Sequence, residues 1–414
     1  QDADGAFSAL SRAARRFPTE MDLWDRLSAL AARARHAQAF ADTLSAVLPP
    51  EGETSLPEDV EVDLAERAAT LYEEKLGDID RATPYLERIL ARRPTDEAAF
   101  ARLRQIHTTR ERWPELEALY ERVVAATEDA PKKADLLAEV ALVAEEITGD
   151  RPKAIGYYER ILALEPGFEQ AVRALDNLYS AEERWPQLAE LLERRVLGAS
   201  DEVALTLRQR LGALYATRLG AADKALPHLE KVLEADPAAR ESRELVEAML
   251  ADEALVARAA LALEHAYAAL DDGGQLVRIL EVRLGLAATA EEKTELLRRI
   301  AQLQDERLRD PAKAFDALAR LAPLAPDDAL VRGRLLELVE PTGRAEAASD
   351  VLARTAEAAE GAALRAEILT ERAKLLEERL GDAAGALAVY GAIFALAPED
   401  PELALPAARA QDRL

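Results

Sequence analysis

An alanine followed twelve residues later by a proline recurs six times along this chain, as Ala6/Pro18, Ala82/Pro94, Ala154/Pro166, Ala225/Pro237, Ala314/Pro326 and Ala386/Pro398. Successive prolines lie 76, 72, 71, 89 and 72 residues apart. A period of this kind means that one supersecondary unit is repeated and stacked, each copy burying its apolar face on the next. It overrides the two or three domains that length alone would suggest, because one core can run through a stack whose members touch only their neighbours. The expectation is an all-α solenoid, a right-handed superhelix of stacked hairpins with about 23 helices.

Composition narrows the function classes. Apolar residues make up 49% of the chain and charged residues 32%, with only 18 Gly and 20 Pro, which excludes a disordered chain. The formal net charge is −25, from 78 acidic against 53 basic residues, a field that repels nucleic acid and anionic lipid and serves either solubility or the binding of a basic protein partner. Without cysteine there is no disulfide, thiolate zinc site or Cys nucleophile. No apolar run approaches the roughly 20 residues that span a bilayer. The lack of cysteine does not fix the compartment; the expectation is the cytoplasm, with the periplasm left open. Nine Lys against 44 Arg and a single Asn, Asn177, point to a GC-rich genome of bacterial kind. The ladder begins and ends part-way through a unit, which suggests a piece of a longer repeat protein.

Residues 59–127 show the unit. Leu64, Ala68, Leu71 and Tyr72 recur at helical spacing, so a first helix runs to about Leu76. Gly77 is its left-handed cap, and Asp78 caps a second helix striped by Ala82, Tyr85, Leu86, Ile89 and Leu90. After Pro94, Thr95 or Asp96 caps a third helix with Phe100, Leu103 and Ile106 inward. Trp113-Pro114 opens a fourth, with Pro114 at the first helical position and Leu116, Leu119, Tyr120 and Val123 buried. Small residues eight positions before each turn (Ala69, Ala141, Gly212, Ala301, Ala373) mark a close helix crossing. Pro84 and Pro227, inside the second helix, demand a late start or a bend.

The resulting division is a partial repeat at 1–48, a loop at 49–58, and units at 59–130, 131–200, 201–288, 289–360 and 361–414, the last one partial. The long interval in 201–288 requires an additional helix around 253–270.

A small residue in the first helix, a Gly-Asp turn, Ala five residues past the Gly and Pro seventeen past it together resemble the tetratricopeptide repeat. Gly77–Pro94, Gly149–Pro166, Gly220–Pro237 and Gly381–Pro398 carry the pattern, and 309–326 carries it with Arg309 in place of Gly. Hairpins such as Asp96–Val123 match more weakly, with Trp113-Pro114 in place of the Gly turn, and the first helices hold one extra residue before the turn. The resemblance implies a protein-interaction scaffold and leaves the ligand open. The family's carboxylate-clamp members need an Asn late in the first helix; the matching positions here are Thr70, Leu142, Ala213, Gln302 and Lys374, so that function is not implied.

No catalytic, cofactor or metal constellation emerges. His36, His107, His228 and His265 sit in different units without ligand spacing, and His228 occupies a packing slot held elsewhere by Tyr85, Tyr157, Ala317 and Val389. Trp24, Trp113 and Trp185 read as turn and core markers. One series stands out: Glu73-Glu74, Glu145-Glu146, Asp305-Glu306 and Glu377-Glu378 precede the turns, broken at Ala216-Thr217. Carboxylates there oppose the helix dipole by about 0.3–1 kcal/mol each. Either the cations that follow (Lys75, Arg307, Arg379) offset this, or the ladder receives a Lys/Arg-rich partner. The expected function is therefore a non-enzymatic scaffold. Its rivals are a recognition arm of a larger enzyme and a self-associating spacer.

Overall fold

The structure, a computed structural model, describes residues 3–396 together with Ala408, Arg409 and Asp412. Pro398, the last marker of the ladder, and most of the end of the 361–414 segment lie outside the described residues. Twenty-three α-helices and no strand occur among the described residues. Packing divides the chain between Arg184 and Trp185 into two compact units, a division that falls inside the 131–200 segment. Within each unit, helices pack on their chain neighbours as antiparallel hairpins.

The repeat is built as its residues dictate. In the first complete repeat the helices are Glu58–Thr70, Ile79–Arg92, Glu97–Thr109 and Trp113–Ala126. Trp113 opens the fourth helix and Pro114 is its second residue, still within the turn whose N–H groups need no helical partner. Asp96, rather than Thr95, caps the third by accepting the Ala99 N–H at 2.9 Å. Asp78, Asp150, Asp310 and Asp382 cap the second helices in the same way, accepting the N–H groups of Arg81, Lys153, Lys313 and Gly385. The helices holding Pro84 and Pro227 begin at Ile79 and Ala222 and continue through the prolines. The marker alanines Ala82, Ala154, Ala225 and Ala314 have no exposed surface. The second small position is as tight: a methyl added at Gly212 would stand 2.6 Å from Leu229 Cγ.

At four of the five turns the extra residue is absorbed by a π-helical turn. Leu71–Leu76, Val143–Ile147, Leu303–Arg307 and Leu376–Leu380 adopt it, with N–H groups reaching five or six residues back, as Thr148 to Val143 and Asp78 to Tyr72. One more residue enters each hydrogen-bonded ring, so the insertion costs no break in the helix.

A left-handed residue then ends the helix. In the hairpins with the clear pattern it is Gly77, Gly149, Gly220 or Gly381. In the weaker ones Glu111 (φ 54°) and Glu183 (φ 53°) adopt the same conformation, as does Arg309 (φ 51°). The turn residue that replaces glycine is therefore Glu111 or Glu183, two positions before the Trp-Pro pair. A Cβ makes this conformation costly, so Glu111→Gly and Glu183→Gly are each expected to stabilise the fold by about 0.5–1 kcal/mol, read as a rise in the urea midpoint at unchanged slope.

Two departures from the period have structural reasons. The residues inserted before Glu58 are held by Arg88, whose Nη2 donates to the carbonyls of Pro49 (2.9 Å) and Gly52 (2.7 Å). In the long interval a helix occupies Val256–Ala269 and packs on both Ala222–Ala235 and Arg240–Ala248.

Candidate protein-interaction surface

The four acidic pairs sit in the four π-helical turns, each with the same division of labour. The first carboxylate is half-buried and the second is exposed: Glu73 and Glu74, Glu145 and Glu146, Asp305 and Glu306, Glu377 and Glu378.

Three of the inner carboxylates, Glu73, Glu145 and Asp305, are engaged within the protein. Arg102, on the third helix of the repeat, reaches back to Glu73 with Nη2 at 2.6 Å and Nε at 2.9 Å from Oε2. Arg334 forks onto Asp305 at 2.6 and 2.8 Å in the equivalent place. Both arginines lie eight residues after a marker proline. That register holds Ala174 in the second repeat, and there Glu145 instead accepts the Tyr158 phenol at 2.9 Å. Burial, together with the Glu145 carboxylate, pushes the Tyr158 pKa well above its ordinary value, so the phenol keeps its proton and donates.

Two of the three cations expected to offset the dipole locally, Arg307 and Arg379, do something else. Arg307 pairs with Asp271 at 3.3 Å and Arg379 with Glu340 at 3.3 Å, both on the preceding hairpin; Lys75 comes within 3.9 Å of Glu74. Adjacent residues on a helix do not face each other, whereas neighbouring hairpins do. The offset for Glu73 and Asp305 therefore comes from the next hairpin.

Of the outer carboxylates, Glu306 accepts a hydrogen bond from Gln302 (3.1 Å) and stays exposed, as do Glu74, Glu146 and Glu378. Glu74 and Glu146 belong to the first unit, Glu306 and Glu378 to the second.

A second ladder escaped the sequence reading. Six residues after the marker alanines stand Arg88, Arg160, Lys231 and Arg320. Arg160 forks onto Glu121 (2.5 and 3.0 Å) and Arg320 onto Glu281 (2.8 and 3.1 Å), each joining a second helix to the fourth helix before it. The register was visible in the sequence, but the partner carboxylates lie 39 residues away and follow no marker. Exposed pairs of this kind contribute about 0–1 kcal/mol, so they set the register of stacking more than its strength.

The histidines do not gather, and no group of three or more His, Asp or Glu side chains among the described residues is placed to hold a metal ion. His228 stacks on Tyr215 with ring centroids 6.1 Å apart. His107 is buried, its ring nitrogens lack hydrogen-bond partners, and Glu87 stands 3.8 Å away. Burial lowers the His107 pKa despite the opposing pull of Glu87 and Glu115, and burial with Arg208 lowers that of His228. The unfolded chain then binds these protons more readily. The stability at stake is fully present above the ordinary histidine pKa of about 6.5 and is lost as pH falls toward the folded value. His107→Leu should flatten the decline in urea midpoint between about pH 7 and pH 5; an unchanged pH profile would refute the assignment.

What these elements define is a repeat protein of stacked helical hairpins whose distinctive surface chemistry is recurrent and acidic. The sequence model of the tetratricopeptide repeat matches residues 99–134, and the chain is similar to that family there. The match falls on the hairpin with the weaker sequence pattern, where Glu111 performs the glycine turn. Among solved structures, "Structure of Naa15/Naa10 bound to HypK-THB" is similar with a TM-score of 0.33 and 15% identity, covering 99% of this chain and 66% of that one. The crystal structure of the P58(IPK) TPR domain is similar with a TM-score of 0.23 and 15% identity, covering 85% of this chain and 97% of that one. The chain thus spans slightly less than two thirds of the first of these. No curated protein sequence matches.

Proposed function

We propose that this protein is a non-enzymatic scaffold for protein–protein interaction, receiving a basic segment of a partner protein on its outer carboxylates. Glu74 and Glu146 serve in the first unit, and Glu306 and Glu378 in the second. The observation that carries this reading is the repeated split within each acidic pair: the inner carboxylates of three pairs are bound inside the protein, and the outer ones remain exposed. Glu73, Glu145 and Asp305 then position the turn, and Glu377 holds the matching place. A tetratricopeptide repeat is an interaction module, which supports the scaffold role. The net charge of −25 supports a cationic polypeptide over nucleic acid or an anionic membrane. No described helix is long and apolar enough to cross a membrane.

Titration with an arginine-rich peptide, followed by fluorescence anisotropy, tests the reading. Changing Glu74, Glu146, Glu306 and Glu378 together to Gln should weaken binding about tenfold or more at low salt and flatten its salt dependence. Equal affinity for the variant would refute the outer carboxylates as the site.

A further inference from the structure

Three leucines left out of the core converge in the second unit. Leu261 lies on Val256–Ala269, Leu286 ends Gly273–Leu286, and Leu324 closes the short 3-10 turn Ala322–Leu324. They are 43%, 46% and 41% exposed, and they line one open cleft of about 1040 Å³. Single exposed leucines are ordinary, whereas several meeting in a concavity of this size make a binding surface.

The charges around the cleft have one sign to spare. Arg283 and Arg299 reach it, but both are bound to the buried Glu264: Arg299 Nη1 lies 2.5 Å from one carboxylate oxygen, and Arg283 holds the other. Burial pushes the Glu264 pKa up, and the two guanidiniums outweigh that and hold it below the usual carboxylate range, so the carboxylate stays charged. The opposite wall is the first half of Ala290–Gln302, which carries Glu291, Glu292 and Glu295. Glu292 is committed to the capping box with Thr289. Glu291 and Glu295, one helical turn apart, stay exposed on the cleft.

We propose that this cleft docks a partner segment carrying large aliphatic side chains flanked by lysine or arginine. The aliphatic groups cover Leu261, Leu286 and Leu324, and the flanking cations meet Glu291 and Glu295 at a rim that docking would partly desolvate. Such a surface is selective where the acidic ladder is not, because it asks for apolar and cationic groups together. The inference rests on the scaffold reading but uses residues apart from that ladder.

The test is anisotropy titration of the full chain with a synthetic amphipathic leucine–lysine peptide, against a polylysine peptide of equal charge, with hydrogen exchange to locate binding. The expected result is protection confined to 256–264 and 286–299, and at least about tenfold weaker binding for Leu261→Ser/Leu286→Ser. Glu291→Gln/Glu295→Gln should weaken binding and reduce its salt dependence, while the fourfold ladder variant keeps the leucine-dependent part. Both leucines are surface residues, so the melting curve of the double variant should match that of the parent. Equal binding by the leucine variant, or equal binding and protection by polylysine, would overturn the cleft as a docking site. Loss of leucine-dependent binding in the ladder variant alone would also overturn it. The scaffold reading is judged separately, by the arginine-rich peptide.

Discussion

Glu61→Ala is expected to lower the free energy of unfolding by about 3–5 kcal/mol, a large loss for one carboxylate. Glu61 is only 1% exposed. Its oxygens accept from Arg88 Nη1 at 2.7 Å and Arg92 Nε at 2.8 Å, joining the first helix of the repeat to the second. Arg88 also holds the inserted loop through Pro49 and Gly52. Removing Glu61 leaves the Arg88 guanidinium nearly buried without its counter-charge, and that uncompensated charge, more than the lost attraction, sets the cost. Urea denaturation reads the loss directly. Glu61→Leu combined with Arg88→Met should recover much of it, and amides in residues 49–57 should exchange faster in Arg88→Ala. A loss below about 1 kcal/mol for Glu61→Ala would show that the cluster is effectively solvated.

Trp24→Ala should cost a comparable amount, about 3–5 kcal/mol. Trp24 has no exposed surface, its ring centroid lies 6.5 Å from that of Phe40, and its Nε1 donates to the Pro18 carbonyl at 3.0 Å. The residue therefore ties the first marker proline to the core beneath it. Trp24→Phe separates the two contributions: it keeps most of the packing and leaves the carbonyl unpaired, at about 1–3 kcal/mol. If alanine and phenylalanine cost the same, the hydrogen bond and not the packing dominates.

The acidic ladder shows where sequence reasoning reached and where it stopped. The repeated pairs and their place before each turn are visible in the residues, because a turn and its flanks are local and recur with the period. The division into an inner and an outer carboxylate is not. It depends on the π-helical turn, which shifts the face each residue presents, and on Arg102 and Arg334, which arrive 29 residues later in sequence. The arginines that follow the acids in sequence turn to the preceding hairpin instead, so adjacency along the chain misassigned their partners. The cleft at Leu261, Leu286 and Leu324 was equally hidden, since its walls come from four elements that share no motif.

The sequence by itself determined the helices, their caps and the small-residue crossings, because those follow from contacts within one turn of helix or from a side chain that must be absent. Even the extra residue announced itself, although not the π-helical form that takes it up. Tertiary structure alone decided which charges are spent inside and which face outward. An ion pair is settled by the approach of two hairpins, and long side chains reach across that gap to whichever partner stands opposite.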